Sequence, residues 1–300
     1  MASVAQIRKS YRKSRWVAPV AAPDPRTSQP GRRLLEDELT SLKQDNDAVN
    51  RAINEAAQLQ RQLCGPRYFR THSYEFAAEI FPVRHLSGDF ISVMQLEGDL
   101  VFAVGDIAGK GIVAGMWFTH LTGMIRRAIA THKDPAAALS AVNRDRLITG
   151  IEFPLTTLFL ARLNLISGGL TYCNAGHPPA LLIRDKGEVE ALSEGGPVLG
   201  AFSDASFVNG SATLVPRNTL LVYSDGIVEC KNESGVEFGT ERLASAGGEF
   251  SESNASGVVF SVLGAVENFA QNRHREDDIA VMALRHLGSC EIDRSERYAA

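Results

Sequence analysis

The apolar residues of this chain change period at Gly65-Pro66, and that change limits the possible folds more than any other feature. Upstream they follow alternating steps of four and three: Leu35, Leu39, Leu42, Asn46, Val49, Ile53, Ala56, Gln60 and Leu63, seven of the nine being apolar. A seam held over about four heptads predicts a coiled-coil linker helix over residues 34–64. Asn46 and Gln60 fall at a positions, where a buried polar side chain can fix register and strand number. The expected consequence is a homodimer through residues 35–63. The other reading of the same stripe is an amphipathic helix packed on the chain's own core. Gly65-Pro66 stops the helix.

Beyond Pro66 the apolar runs have strand length: 74–81, 90–96, 100–104, 157–163, 170–173, 220–223 and 279–284. Helical patterns over 113–130, 135–148 and 256–271 separate some of them. Hairpin-like succession outweighs strict βαβ alternation, so sheets stacked face to face with helices outside are expected rather than a doubly wound parallel sheet.

Composition removes several function classes. With 44% hydrophobic and 22% charged residues in 300, the chain is globular, with one large domain or two modest ones. No apolar run approaches the roughly 18 residues of a membrane-spanning helix. A secretory signal is not expected either, because the apolar run 16–22 is short and broken by Pro19. Cys64, Cys173, Cys230 and Cys290 lie far apart with no C-x-x-C pair, against a disulfide framework or a cysteine zinc site, so a reducing cytoplasm is the expected location. The net charge of -4 hides eight Lys/Arg against one Asp within residues 1–33. That segment is read as a basic disordered tail, and nucleic-acid binding is not expected.

The informative acids lie where strands end. Ser87-Gly88-Asp89-Phe90 leads, through a Glu97-Gly98 turn, to Val104-Gly105-Asp106-Ile107-Ala108-Gly109-Lys110-Gly111. If Glu97-Gly98 is a two-residue hairpin loop, Asp89 falls directly opposite Asp106. Two carboxylates so paired repel unless a cation lies between them, an arrangement that a divalent metal answers. A register slip, or a hairpin that ends before residue 89, would leave both solvated. Likewise Asp225 ends the run 220–223, and Asp277-Asp278 opens 279–284. Were those strands antiparallel neighbours, four carboxylates would converge in a set suited to magnesium or manganese. Gly105 to Lys110 lacks the spacing and the Ser/Thr of a phosphate loop. Neither H-E-x-x-H nor G-x-S-x-G occurs. His177, in Asn174-Ala-Gly-His-Pro-Pro, is read as a brace of a Pro-rich turn, with a catalytic role as the alternative.

Taken in order, Ser-Gly-Asp89-Phe, Val-Gly-Asp106-Ile-Ala-Gly-Lys-Gly, Asn174-Ala-Gly-His-Pro-Pro-Ala-Leu, Tyr-Ser-Asp225-Gly-Ile-Val-Glu229 and Asp277-Asp278-Ile resemble the SpoIIE/RsbU branch of PPM-type metal-dependent protein phosphatases. The resemblance covers about residues 66–287, expected as the phosphatase domain, with 288–300 as a C-terminal tail. It implies an α+β fold: two stacked, largely antiparallel β-sheets flanked by helices, an αββα sandwich preceded by the coiled-coil helix. It also implies hydrolysis of phosphoserine or phosphothreonine on a protein by water activated between two divalent cations, Mn2+ or Mg2+. Asp106 resembles the aspartate that bridges both metals, with the Ile107 carbonyl beside it. Asp225 and Asp277 match ligands of the first metal, and Asp106 and Asp225 are the implied catalytic pair. Asp89 matches an acid acting largely through water. Asp278, His177 and Lys110 are secondary candidates, Lys110 as a contact for substrate phosphate. The chain departs from Gly-Gly-Asp-Phe-Tyr-Asp at Ser87, Ile91 and Ser92, and from Asp-Val-Ser-Gly-His-Gly at Ala108 and Lys110. The implied substrate is a phosphorylated anti-anti-sigma (STAS-type) protein of a bacterial partner-switching pathway, with the coiled coil as a switch. The alternative is a phosphoprotein-binding scaffold, weak or inactive in catalysis, that dimerises through its helix.

Overall fold

The computed structural model describes residues 28–71, 73–148, 153–249, 254–271, 273 and 275–288. Most of the expected basic tail (1–33), and all of the expected C-terminal tail beyond residue 288, lie outside the described residues. Two compact units divide the chain, Met1–Arg51 and Ala52–Ala300. Helix α1 (Ser28–Leu63) supplies the described part of the first and enters the second.

In the first unit the seam residues Leu35, Leu39, Leu42 and Val49 are each more than half exposed on the single chain. In the second, Ala57 and Cys64 are buried and Leu63 packs against the core. Gly65, at φ 92°, turns the chain out of the helix, and a Cβ there would meet the Val93 carbonyl at 2.8 Å. That close approach lets the Cys64 carbonyl accept the Val93 N–H at 3.1 Å.

The second unit holds two six-stranded sheets. The first runs β1 (Tyr68–Arg70), β2 (Tyr74–Phe81), β12 (Ile279–His286), β11 (Thr219–Tyr223), β7 (Ala180–Ile183) and β8 (Val189–Leu192), all neighbours antiparallel. The second runs β10 (Gly210–Thr213), β6 (Gly169–Ala175), β5 (Thr156–Asn164), β4 (Asp99–Ile107) and β3 (Asp89–Leu96), also antiparallel, with β9 (Gly195–Gly196) parallel to β6.

Period-two alternation dictates the layers. Along β4, Leu100, Phe102 and Val104 face the other sheet, and together with Phe159 and Tyr172 of their own sheet they form one core with Phe76, Val222 and Met282 of the facing one. Val101 and Ala103 face outward and are covered by α2 (Ile112–His132) and α3 (Pro135–Ile148) through Phe118, Leu121, Ile125 and Leu139. On the opposite outer face Leu221, Tyr223, Val281 and Ala283 are covered by α5 (Gly239–Glu249) and α6 (Ala255–Ala270). The result is the αββα sandwich. Each large side chain fully buried between the sheets contributes about 1.5–3 kcal/mol.

The seven expected strands and three expected helices all form, seven of them one to four residues longer than the pattern suggests and three at the expected length. β1, β7, β8, β9, β10, α5 and the single-turn α4 (Asp225–Val228) were not anticipated. Strands of two to four residues show too little period to be seen, and α5 begins at a glycine and contains Gly247 and Gly248, poor helix formers.

Candidate metal centre

The β3–β4 hairpin sets the first half of the site. Glu97 (φ 53°) and Gly98 (φ 88°) form its two-residue turn, and both left-handed conformations match the preferred hairpin geometry. Leu96 therefore pairs with Asp99, and seven residue pairs further on Asp89 stands opposite Asp106. The second half comes from the other sheet. β11 and β12 are antiparallel neighbours, with Tyr223 opposite Val281. The chain leaves β11 through Ser224 into the single turn α4 (Asp225–Val228), while Asp277 and Asp278 lead into β12. Thus Asp225 and Asp277 share one sheet edge.

Two close approaches tighten the halves, one in each, and one hydrogen bond joins them. Gly226 lies so near the second pair of acids that a Cβ would sit 2.0 Å from the Asp278 carbonyl. A Cβ at Gly88 would meet the Ile107 carbonyl at 2.8 Å, Asp106 Oδ1 at 2.9 Å and the Gly109 carbonyl at 3.0 Å. The Ser224 hydroxyl, which also accepts the Ala280 N–H at 2.9 Å, reaches Asp89 from the facing sheet.

The electrostatics record the crowding. Burial pushes the Asp89 carboxyl well above its ordinary value, the Ser224 hydrogen bond opposes this, and Asp106, Asp278 and Asp225 add to it. Burial, then Asp225 and Asp277, push Asp106 up to about 6. Asp225 is raised by burial and then by Asp277. Asp89 is 3% exposed, and its Oδ2 has no hydrogen-bond partner. Acids that raise one another, an orphaned buried carboxylate oxygen and three oxygens gathered at Gly88 fit hard divalent cations. Among the described residues no three His, Cys, Asp or Glu side chains close on one ion unaided. A cation here would complete its shell with the Ile107 carbonyl and water.

The secondary candidates separate. Asp278 is committed to the 82–88 loop: its Oδ1 accepts the Val83 N–H at 2.7 Å, and its Oδ2 accepts the Ser87 hydroxyl at 2.8 Å and the Gly88 N–H at 2.9 Å. Ser87, one of the departures noted above, thus secures the loop that carries Asp89. His177 is buried beside Thr157, whose Oγ1 lies 2.9 Å from its Nδ1, and burial pulls its pKa down to about 3. Asn174 clamps the turn, accepting the His177 N–H at 2.7 Å and donating to the His177 carbonyl at 2.9 Å. Lys110 pairs with Asp277 at 2.6 Å.

Sequence reasoning missed Gln60. It is placed on the seam of α1, yet its Nε2 donates to the Ser87 carbonyl at 2.9 Å and its Oε1 accepts the Ser87 N–H at 3.3 Å. A polar residue at a seam position was the available signal, but nothing local connects residue 60 to residue 87.

Comparison with known proteins agrees with this architecture. The sequence pattern of the family described as Stage II sporulation protein E (SpoIIE) matches residues 97–287. The phosphoserine phosphatase RsbU of Bacillus subtilis is 25% identical over 208 residues, covering 68% of this chain and 62% of RsbU. The curated relatives are longer, the chain spanning 36–62% of their length. The SiaA-PP2C domain of Pseudomonas aeruginosa superposes with a TM-score of 0.69 at 19% identity, covering 80% of this chain and 98% of that domain. RsbX, solved in complex with magnesium, superposes with a TM-score of 0.56 at 14% identity, covering 73% of this chain and 98% of RsbX.

Proposed function

We propose, for a chain that belongs to the SpoIIE family, that this centre hydrolyses phosphoserine or phosphothreonine on a protein substrate with the help of two divalent cations, Mn2+ or Mg2+. The observation that carries the reading is the convergence of Asp89 and Asp106 from one sheet with Asp225 and Asp277 from the other. Two relatives bearing the name phosphoserine phosphatase support the substrate class.

When bound, the two cations supply a water of lowered pKa as the nucleophile and neutralise charge on the phosphoryl oxygens. The protein's part is to hold and orient them. In this reading Asp106 would be shared between the cations, the Ile107 carbonyl would add a neutral oxygen, and Asp225 and Asp277 would hold the first of them. Asp89, the most deeply buried, would hold the centre largely through water. Asp278, Ser87 and Gln60 fix the loop that sets Asp89 against Asp106. His177 braces the turn after β6 as a neutral imidazole.

The finer reading is a phosphorylated STAS-type anti-anti-sigma factor as substrate, dimerisation through residues 35–63 and a cytoplasmic location. Among the described residues no helix is long and apolar enough to cross a membrane. Residues 66–287 form the catalytic domain in this reading, and α1 transmits the state of the seam to it.

The test is phosphate release from a phosphoserine peptide and from an aryl phosphate, with and without Mn2+. Wild type should release phosphate only with metal. Asp106→Asn should retain the fold by circular dichroism and lose at least about a hundredfold in rate. Substantial metal-dependent turnover in that variant would remove Asp106 from the bridging role.

A further inference from the structure

Lys110 stands between two glycines of positive φ, Gly109 at 120° and Gly111 at 75°, in the turn from β4 to α2. Those two backbone reversals aim a long cationic side chain across the site, from one ligand-bearing loop to the other. Its Nζ lies 2.6 Å from Asp277 Oδ1 and donates to the Glu276 carbonyl at 3.1 Å. The same Oδ1 also accepts the Asp278 N–H at 2.9 Å.

We propose that Lys110 is a tethered competitor for the Asp277 carboxylate, which lowers the affinity of the cation position formed by Asp225 and Asp277 and leaves the position near Asp89 unaffected. The proposal rests on the two-cation reading above and adds what sets the strength of one of its positions. An ammonium fixed by its own backbone beside a carboxylate is present at high effective concentration, so a cation arriving from solution must either displace it or bind within a few ångströms of a like charge. A purely bracing role would predict the opposite sign, with weaker cation binding once the side chain is gone. Two observations favour competition. Asp277 Oδ1 accepts the Asp278 N–H independently of Lys110, a bond that would keep the carboxylate tethered without the ammonium. The half-exposed setting of the pair, with side-chain exposures of 39% and 53%, leaves Lys110 room to swing away. Selectivity for one position follows from geometry, since the ammonium pairs directly with Asp277, whereas Asp89 is buried at the start of β3.

The experiment is a Mn2+ titration of the full chain, read from the electron paramagnetic resonance signal of free Mn2+, which needs no turnover. Wild type should show two separable classes of site. Lys110→Met should tighten the weaker class by roughly tenfold and leave the other within about twofold. Lys110→Arg, which keeps the charge, should stay close to wild type. Lys110→Gln provides a second neutral side chain should the methionine variant fail to fold. Unchanged or weakened binding in folded, neutral variants would overturn the proposal while leaving the two-cation reading intact. Absence of Mn2+ binding in wild type would overturn both.

Discussion

At Gly88 a single methyl group would be felt by the end of β4 and the turn that follows it. The three oxygens that surround its missing Cβ include Asp106 Oδ1 and the Ile107 carbonyl, both in the proposed ligand set. Contacts of 2.8 to 3.0 Å are too short to be absorbed without moving the backbone that carries those ligands. Gly88→Ala is therefore expected to cost about 1–3 kcal/mol in stability and to weaken Mn2+ binding by about tenfold or more, since a ligand displaced by even half an ångström no longer presents its oxygen. Urea unfolding and a Mn2+ titration check the two parts separately. A variant that binds Mn2+ like wild type would show that Ile107 and Asp106 can move together.

Among the elements, the β3–β4 hairpin was legible because its geometry is local. A two-residue turn ending in glycine fixes the register, and a fixed register makes the facing of Asp89 and Asp106 a matter of counting. The antiparallel pairing of β11 with β12 could be posed from the acids at their ends, yet needed the structure, because 55 residues separate the end of one strand from the start of the other. The loop 82–88 was not legible. It has no periodic pattern, and its hydrogen bonds reach back to residue 60 and forward to residue 278. The apolar stripe of α1 was legible as a stripe only. Over Leu35–Val49 it is exposed on the single chain, whereas its last positions, Gln60 and Leu63, reach the domain's own core alongside the buried Ala57 and Cys64, so one pattern covers two environments. Gln60→Ala tests the junction. Loss of two hydrogen bonds to the Ser87 backbone should cost about 1–2 kcal/mol and weaken Mn2+ binding severalfold, whereas full wild-type stability would mean that water replaces the amide without loss.

For the molecule as a whole, the exposed half of the seam bears on assembly. Four large aliphatic side chains in a row on a helix are far better accommodated against a second helix than against water, each by about 1–2 kcal/mol. Light scattering should give a dimer for the full chain and a monomer for residues 52–300, a cut that keeps the buried last turns of α1. A monomeric full chain at micromolar concentration would remove the coiled coil from the reading. The placement of the four acids has a different consequence. Asp89 and Asp106 belong to one sheet, and Asp225 and Asp277 to the strand ends of the other, so a cation held by both pairs would also rivet the two layers together. Opening of the sandwich, the motion by which buried strand amides reach solvent, would have to break that rivet first. Saturating Mn2+ should accordingly slow amide hydrogen exchange in β4 and β12 together, by a common factor set by the binding free energy. The outer helices α2, α3, α5 and α6, which carry none of the four acids, should show little change. In the proposed reading catalysis and cohesion draw on the same four carboxylates, so a substitution that loses the cations would also lose the rigidity they confer on the sandwich.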